Sequence, residues 1–335
     1  MDAPEATSRQ VLRVLRKNPG AYVSGAMLAD RLGLSRTGIW KHIRNLKSLG
    51  YGIVSHPREG YKLVEVPDTL IPEEVAHDLR TSWLAGDYHY LATVGSTNDV
   101  ALQLALEGAP HGTVVSAEEQ TRGRGRLRRD WLSSPRRGIY ITILLRTPLP
   151  VREASQSVYI AALALAKTLR STFRLPSSIK WPNDVLVRHK KVAGILTEMQ
   201  SDQEQTRFLV IGIGINVNHT QEELAGPFRY PATSVAIELG RPIRRQELMK
   251  SFLERFEMEY DRFLDEGFGA ILPELEEFSD ILGKNVSVLC GKEEIEGRAL
   301  GFTPEGALVL LTREGRKQSI WAGDVTRVEG SLQDD

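Results

Sequence analysis

One short arginine-rich stretch limits how the rest of this chain can be arranged. Residues 122–129 contain five arginines and two glycines, and the first acidic residue after them is Asp130. Because like charges repel and glycine leaves the backbone loose, we expect a mobile loop here. The loop would become ordered around a strong anion such as a phosphate chain, since guanidinium groups match phosphate oxygens. The alternatives are a solvated basic loop and an arginine–glycine tail that binds nucleic acid.

Length and composition indicate what kind of protein carries this loop. A chain of 335 residues, 41% of them hydrophobic, predicts two or three domains with packed cores. No apolar run is long enough to cross a bilayer, and residues 1–10 lack the apolar core of a signal peptide. Cys290 is the only cysteine, so no intrachain disulfide can form. These features predict a cytoplasmic protein with no membrane partner.

The segment 1–66 is basic and helical. It carries eleven Lys and Arg residues against five Asp and Glu residues, a net charge of +6, although the whole chain is neutral. Apolar spacing predicts helices at 8–17, 24–32 and 36–49, where a glycine ends the second helix and a serine caps the third. The alternating stretch 51–63 predicts a two-stranded wing.

A basic third helix after a glycine-containing turn is typical of a winged helix-turn-helix domain that binds DNA. The alternative is a three-helix packing domain without a DNA partner. The candidate DNA-binding residues are Ser35, Arg36, Thr37, Lys41 and Arg44.

Two further domains are predicted, at 67–282 and 283–335. In the first, helices are predicted at 73–79, 96–106, 151–173, 245–264 and 269–278, and strands at 88–94, 113–117, 138–146, 179–187, 192–199 and 208–218. Because these elements do not alternate regularly, we expect an α+β domain with helices on one face of a sheet. In the second, four short strands separated by turns predict a small β-barrel.

Several familiar kinds of site are missing from the sequence. It contains no phosphate-binding loop ending in Gly-Lys-Ser/Thr, and its seven histidines never fall at zinc-ligand spacing. We therefore predict no metal-ligating residues. Polar residues at strand ends remain, namely Lys180, Asn216 and the run 96–98. Each also has an ordinary interpretation, as a solvated lysine, a turn asparagine and a helix cap.

Five motifs in a fixed order resemble one family, the bifunctional biotin–protein ligase and biotin operon repressor. The likeness covers nearly the whole chain. One residue departs from the family pattern, because Arg128 stands where a third loop glycine is usual. The motifs are Gly-Ser-Thr-Asn at 95–98, Gln120 with Gly-Arg-Gly-Arg at 123–126 and Trp131, Lys-Trp-Pro-Asn-Asp at 180–184, Lys-Val-Ala-Gly-Ile-Leu at 191–196, and Gly-Ile-Gly-Ile-Asn-Val-Asn at 212–218.

The resemblance implies both a fold and an activity. The fold is a winged helix-turn-helix, a mixed-sheet ligase domain of the class II synthetase-like type, and an SH3-like β-barrel. The activity is that of a biotin–acetyl-CoA-carboxylase ligase, with biotin and ATP as substrates and Mg²⁺ as cofactor. It forms biotinoyl-5′-AMP and passes the acyl group to a lysine of the biotin carboxyl carrier protein. Operator DNA is the second implied partner, bound by a homodimer once the adenylate is present.

The resemblance also assigns site residues, residue by residue. The implied catalytic residues are Lys180, Arg124 and Arg126. The implied nucleotide-binding residues are Trp131, Asn183 and Asn216. Biotin is expected to bind Ser96, Thr97, Asn98, Gln120, Arg124, Gly125, Arg126, Lys180 and Gly194.

Two rival functions stay open on the sequence. A lipoate ligase of the same fold would share the need for cations, but not the Gly-Arg-Gly-Arg element or the helix-turn-helix. A repressor that senses biotin without catalysis would be expected to lose Lys180 and the loop arginines, which are all present.

Overall fold

The computed structural model describes residues 3–202, 205–226 and 230–329. These residues form two compact units, divided between Thr69 and Leu70. The predicted border near residue 282 lies within the second unit. Residues 1–2 and 330–335, which the predicted first and third domains included, lie outside the described residues.

The first unit has three helices and one hairpin. Ser24 and Ser35 cap the second and third helices by accepting hydrogen bonds from the backbone N–H of Met27 and Gly38. Gly33 ends the second helix in the left-handed conformation, at φ 65°. The Ser35 cap and the terminal Gly33 were predicted, so the helix-turn-helix prediction is confirmed in its local structure. The elements are α1 (Ala3–Arg16), α2 (Gly25–Leu32), α3 (Arg36–Ser48), β1 (Gly52–His56) and β2 (Gly60–Glu65).

The second unit is built on a mixed seven-stranded sheet in the order β3-β4-β5-β9-β8-β7-β6. Only the pair β3–β4 is parallel, and the other neighbours are antiparallel. Its elements are α4 (Pro72–Val75), β3 (Tyr88–Val94), α5 (Thr97–Leu106), β4 (Val114–Gln120), β5 (Gly138–Leu145), α6 (Val151–Phe173), β6 (Ser177–Lys180), β7 (Asp184–Val187), β8 (Lys190–Asp202), β9 (Gln205–Asn216), α7 (Val235–Leu239), α8 (Arg245–Glu266) and α9 (Phe268–Glu277).

Helices cover both faces of this sheet, so the prediction of helices on one face is wrong. Alternate residues of β5, such as Ile141 and Ile143, join the main core with α6 and α8. Leu144 joins a separate core with Ala101 of α5. All eight residues of β5 are buried. A strand buried on both faces shows no polar alternation, which is why the sequence did not reveal the second layer.

The predicted strand 179–187 is two strands. β6 and β7 pair antiparallel, with Lys180 opposite Asp184 across the turn 181–183. Pro182 has no backbone N–H to donate to a neighbouring strand, and the chain reverses there. Trp181 is buried at this turn, where its indole N–H donates to the Tyr159 hydroxyl at 2.9 Å.

The C-terminal part of the second unit is an antiparallel sheet in the order β13-β12-β11-β10-β14. Four of its strands were predicted, and β14 was not. The α+β class, with a helix-turn-helix, a mixed central sheet and this antiparallel sheet, is confirmed. In the described ranges, no helix combines the length and apolar character that a bilayer span requires. The strands are β10 (Asn285–Cys290), β11 (Glu293–Phe302), β12 (Leu308–Thr312), β13 (Lys317–Ile320) and β14 (Asp324–Val328).

Candidate active site

A cavity of about 190 Å³ lies on the α5 side of the central sheet. Its floor is made by Gly212 and Gly214 of β9 and Gly194 of β8. A Cβ atom at Gly212 would lie under 3.0 Å from the Asn98 carboxamide. A Cβ atom at Gly214 or at Gly194 would lie under 3.0 Å from the Trp131 indole. The missing side chains therefore let the Asn98 carboxamide and the Trp131 indole pack directly against the sheet.

One wall is a network of polar side chains. The Gln120 carbonyl oxygen accepts hydrogen bonds from the Thr97 backbone N–H at 2.9 Å and from its hydroxyl at 3.1 Å. The Asn98 amide donates to Glu198 at 2.6 Å, and its oxygen accepts from the Thr142 hydroxyl at 2.7 Å. The start of α5 and the end of β4 position these groups. Because each has a protein partner, the wall is fixed before a ligand arrives.

The opposite wall carries two lysines that share one carboxylate. Lys191 Nζ lies 2.6 Å from one oxygen of Asp184, and Lys180 Nζ lies 3.8 Å from the other. Lys180 is only 5% exposed and its ammonium lies 4.4 Å from the Tyr230 ring centroid, so it is not a solvated strand-end lysine. Burial raises the pKa of Tyr230 to about 12, so its hydroxyl stays protonated. Lys191 Nζ lies 5.4 Å from the Trp131 ring centroid.

The arginine loop, residues 121–131, crosses the cavity. Arg124 donates to both oxygens of Asp99, at 2.5 and 3.1 Å, and these bonds raise the pKa of its guanidinium. Leu127 has a left-handed backbone at φ 56° and is 64% exposed. Leu127 therefore has the left-handed backbone, and Arg128, which stands where the family usually has a glycine, does not. The side chain of Arg128 lies outside the described residues.

A buried ion pair ties together the two strands that flank the arginine loop. Arg245 is fully buried, and its Nη1 donates to Glu118 of β4 at 2.6 Å and to the Gly138 carbonyl of β5 at 3.0 Å. The other oxygen of Glu118 accepts from the backbone N–H of Leu70 at 3.1 Å. A buried charge pair of this kind is costly to break, so it holds β4, which precedes the loop, against the start of β5, which follows it.

All twelve residues that the sequence assigned to ligation line this single cavity. Their individual roles stay predictions. The predicted DNA-binding residues lie elsewhere, at the start of α3 and along it, with Ser35 acting as its cap. The cavity residues are Ser96, Thr97, Asn98, Gln120, Arg124, Gly125, Arg126, Trp131, Lys180, Asn183, Gly194 and Asn216.

Sequence reasoning missed other residues of the cavity. Lys191 and Asp184 stood inside motifs that had been noted, so their charges were an available signal. Tyr230 and the residues 324–326 of β14 also line it, and nothing local in the sequence marks them. In the described parts of the chain, no group of three or more His, Cys, Asp or Glu side chains could hold a metal ion.

Three regions of the chain match known families. Residues 90–216 match the Biotin/lipoate A/B protein ligase family, and residues 7–62 match an HTH domain. Residues 281–327 match the Biotin protein ligase C terminal domain. The three matches fall on the central sheet, the helix-turn-helix and the C-terminal antiparallel sheet.

Individual relatives agree with these matches over most of the chain. The Bifunctional ligase/repressor BirA of Bacillus spizizenii is 36% identical over 321 residues, 96% of this chain and 98% of that protein. The Bifunctional ligase/repressor BirA of Escherichia coli is 28% identical, and the match covers 92% of this chain and 93% of that protein. The solved biotin protein ligase of Aquifex aeolicus, in complex with biotin and ATP, is 30% identical with a TM-score of 0.62, and the match covers 72% of this chain and 97% of that one. With its family motifs gathered around one cavity and its likeness spanning the DNA-binding unit as well, this chain belongs to the bifunctional ligase/repressor BirA family.

Proposed function

We propose that this protein ligates biotin to a lysine of the biotin carboxyl carrier protein through biotinoyl-5′-AMP, and that it represses transcription in response to biotin. The observation that carries the proposal is the cavity itself. It combines a fixed polar wall at Thr97, Asn98 and Gln120 with cations at Lys180 and Lys191 on the other side. A ligand that binds the first wall through a neutral polar group can therefore place its charged end beside the lysines.

The biotin end of the cavity suits a compact heterocycle with an apolar chain. Gln120, Thr97 and Ser96 are proposed to bind the ureido and carboxylate groups. Because the polar wall is already hydrogen-bonded, little side-chain ordering is needed when biotin binds.

The reaction brings a carboxylate against a polyphosphate, which requires positive charge at the meeting point. Lys180 and Lys191 bring two positive charges against the single negative charge of Asp184. Arg124 and Arg126 are proposed to hold the phosphates and then the adenylate. The mixed anhydride hydrolyses readily in water, so a loop that covers it protects the intermediate.

The nucleotide is proposed to contact Trp131, Asn183 and Asn216. Mg²⁺ is bound in many such sites by substrate phosphates, water and only one or two carboxylates. The cavity fits this pattern, because Asp130, Asp184 and Asp324 line it singly rather than as a cluster. Mg²⁺ bound by the substrate phosphates and water would neutralise phosphate charge.

The first unit is proposed to bind operator DNA through Arg36, Thr37, Lys41 and Arg44 on α3. These residues are exposed, and the helix buries the opposite stripe at Ile39, Ile43 and Leu46. A homodimer on a palindromic site is proposed, because helix-turn-helix proteins match their two-fold symmetry to two half-sites. A cytoplasmic location is proposed as well, since the only cysteine, Cys290, is free.

Biotin-dependent exchange between ATP and pyrophosphate tests the enzymatic proposal. The purified protein should catalyse exchange with biotin and not with lipoate. Exchange with lipoate alone would indicate the rival ligase, and binding of biotin without exchange would indicate a sensor that does not catalyse.

Operator binding measured with and without biotin plus ATP tests the regulatory proposal. Affinity should rise when the adenylate can form, because the ligand favours the DNA-competent state. Equal affinities would leave a constitutive DNA-binding protein. Removal of residues 1–66 should abolish DNA binding and spare ligation.

A further inference from the structure

The C-terminal sheet forms part of the wall of the cavity. Asp324, Val325 and Thr326, at the start of β14, all line it. The backbone there is held firmly, because Val325 and Asp324 pair with Val288 and Leu289 of β10. A Cβ atom at the preceding residue, Gly323, would lie under 3.0 Å from Val288. The start of β14 is therefore a rigid part of the cavity wall.

Two arginines of the arginine loop are bonded to this wall. Arg129 Nη2 lies 2.6 Å from Asp324 Oδ2, and Arg126 Nη2 donates to the Gly323 carbonyl at 3.0 Å. Arg126 also donates to Asn183 at 3.3 Å, on the ligase side of the cavity. Arg126 thus joins the two sides, while the charge of Arg129 is balanced by Asp324.

The loop is held on the other side of the cavity too. Arg124 pairs with Asp99 of α5, as described above. The Asp99 and Asp324 pairs therefore hold the loop across the cavity from opposite sides. They differ in exposure, since the Asp324 side chain is 14% exposed and the Asp99 side chain 43% exposed. The loop is therefore anchored on one side by an exposed carboxylate and on the other by a mostly buried one, each paired with a partly exposed arginine.

We propose that Asp324 is a positioning residue that fastens the arginine loop over the reaction intermediate. The C-terminal sheet would then control how long the adenylate is retained, by keeping Arg126 over the cavity. The inference rests on the proposed ligase function and extends it to a residue outside the ligase sheet. It concerns release of the intermediate more than its formation, because Asp324 contacts the loop rather than the lysines.

The test compares Asp324→Asn with wild type in the full-length protein. The variant keeps the side-chain shape and removes the charge. We expect the variant to release the adenylate about 5-fold faster than wild type, as measured by rapid filtration. This ratio corresponds to about 1 kcal/mol, the upper end of the contribution of a partly exposed ion pair. Biotin labelling of added albumin should rise relative to the amount of adenylate formed. Equal release rates in the variant and wild type would overturn the proposal.

A matched control and a charge exchange separate positioning from general loosening. Glu296→Gln removes another ion pair of the same sheet, Glu296 with Arg313 at 2.6 Å, and should release adenylate at the wild-type rate. Asp324→Arg combined with Arg129→Asp should restore retention relative to either single change. Equal leakage from the control, or no rescue in the double variant, would show that Asp324 acts only through stability. If Asp324→Asn does not fold, Arg129→Gln tests the same pair from the exposed side. Absence of exchange in the wild type would instead reject the ligase function itself.

Discussion

Replacing Gly212 by alanine places a methyl group in the floor of the cavity, directly against the Asn98 carboxamide. The new Cβ would lie under 3.0 Å from the Asn98 oxygen, so one of the two must move. Asn98 cannot move freely, because it is bonded to Thr142 at 2.7 Å and to the Glu198 carboxylate at 2.6 Å. The substitution therefore either distorts β9 or breaks the polar wall that is proposed to hold biotin.

The expected loss of biotin affinity can be calculated from the cost of overpacking a well-packed site, which is roughly 1–3 kcal/mol. If this cost arises when biotin is bound, the affinity for biotin falls about 5- to 150-fold. Gly214→Ala provides a contrast on the same strand face, because its Cβ would meet the Trp131 indole instead. We expect Gly212→Ala to raise mainly the Kd for biotin, and Gly214→Ala to raise mainly the KM for ATP.

Titration calorimetry with biotin and steady-state exchange kinetics measure the two effects. Gly269→Ala in α9 is the control, since its Cβ would meet nothing within 4 Å and should change neither constant. Thermal unfolding of each variant verifies that it is folded. A folded Gly212→Ala protein with wild-type biotin affinity would refute the assignment of this wall to biotin.

Three further outcomes are expected. Lys180→Met and Lys191→Met should each lower the exchange rate by about 10²-fold or more, because each ammonium lies beside the proposed meeting point of carboxylate and phosphate; a wild-type rate would remove that lysine from the reaction. Arg126→Gly should still form the adenylate but release it about 10- to 150-fold faster, as biotin labelling of albumin would report, and unchanged labelling would count against retention by Arg126. Burial lowers the pKa of His219 from 6.5 to about 4, so the unfolded chain binds the extra proton and stability should fall as the pH drops through this window. Urea unfolding of His219→Asn should show a shallower fall, and an identical slope would contradict it.

Local chemistry made much of the fold predictable. Ser35 caps α3 and Gly33 ends α2 because these residues satisfy the ends of a helix wherever one begins or stops. The cavity was predictable for a different reason. Its motifs lie far apart in sequence, and only the resemblance brought Gln120, Lys180 and Asn216 together before the structure did.

The features that the sequence did not reveal depend on distant partners. Glu118 and Arg245 are 127 residues apart, and neither residue has a neighbour in sequence that marks it as one half of a buried pair. The start of β14 is short and polar, so its place in the cavity wall follows only from its pairing with β10. Pro182 could have indicated the break between β6 and β7, but the apolar residues on either side of it resembled one continuous strand.

The complete burial of β5 has a consequence for the synthesis of this protein. The strand Gly138–Leu145 carries no charge and consists mostly of β-branched, aromatic and leucine side chains, a composition that promotes aggregation when it is uncovered. One of its covers, α8, begins only at Arg245, so a nascent or truncated chain exposes this strand until that helix is made. Fragments that stop before α8 should therefore accumulate as insoluble material. We therefore expect that the ligase unit cannot be shortened from its C-terminal side past this helix.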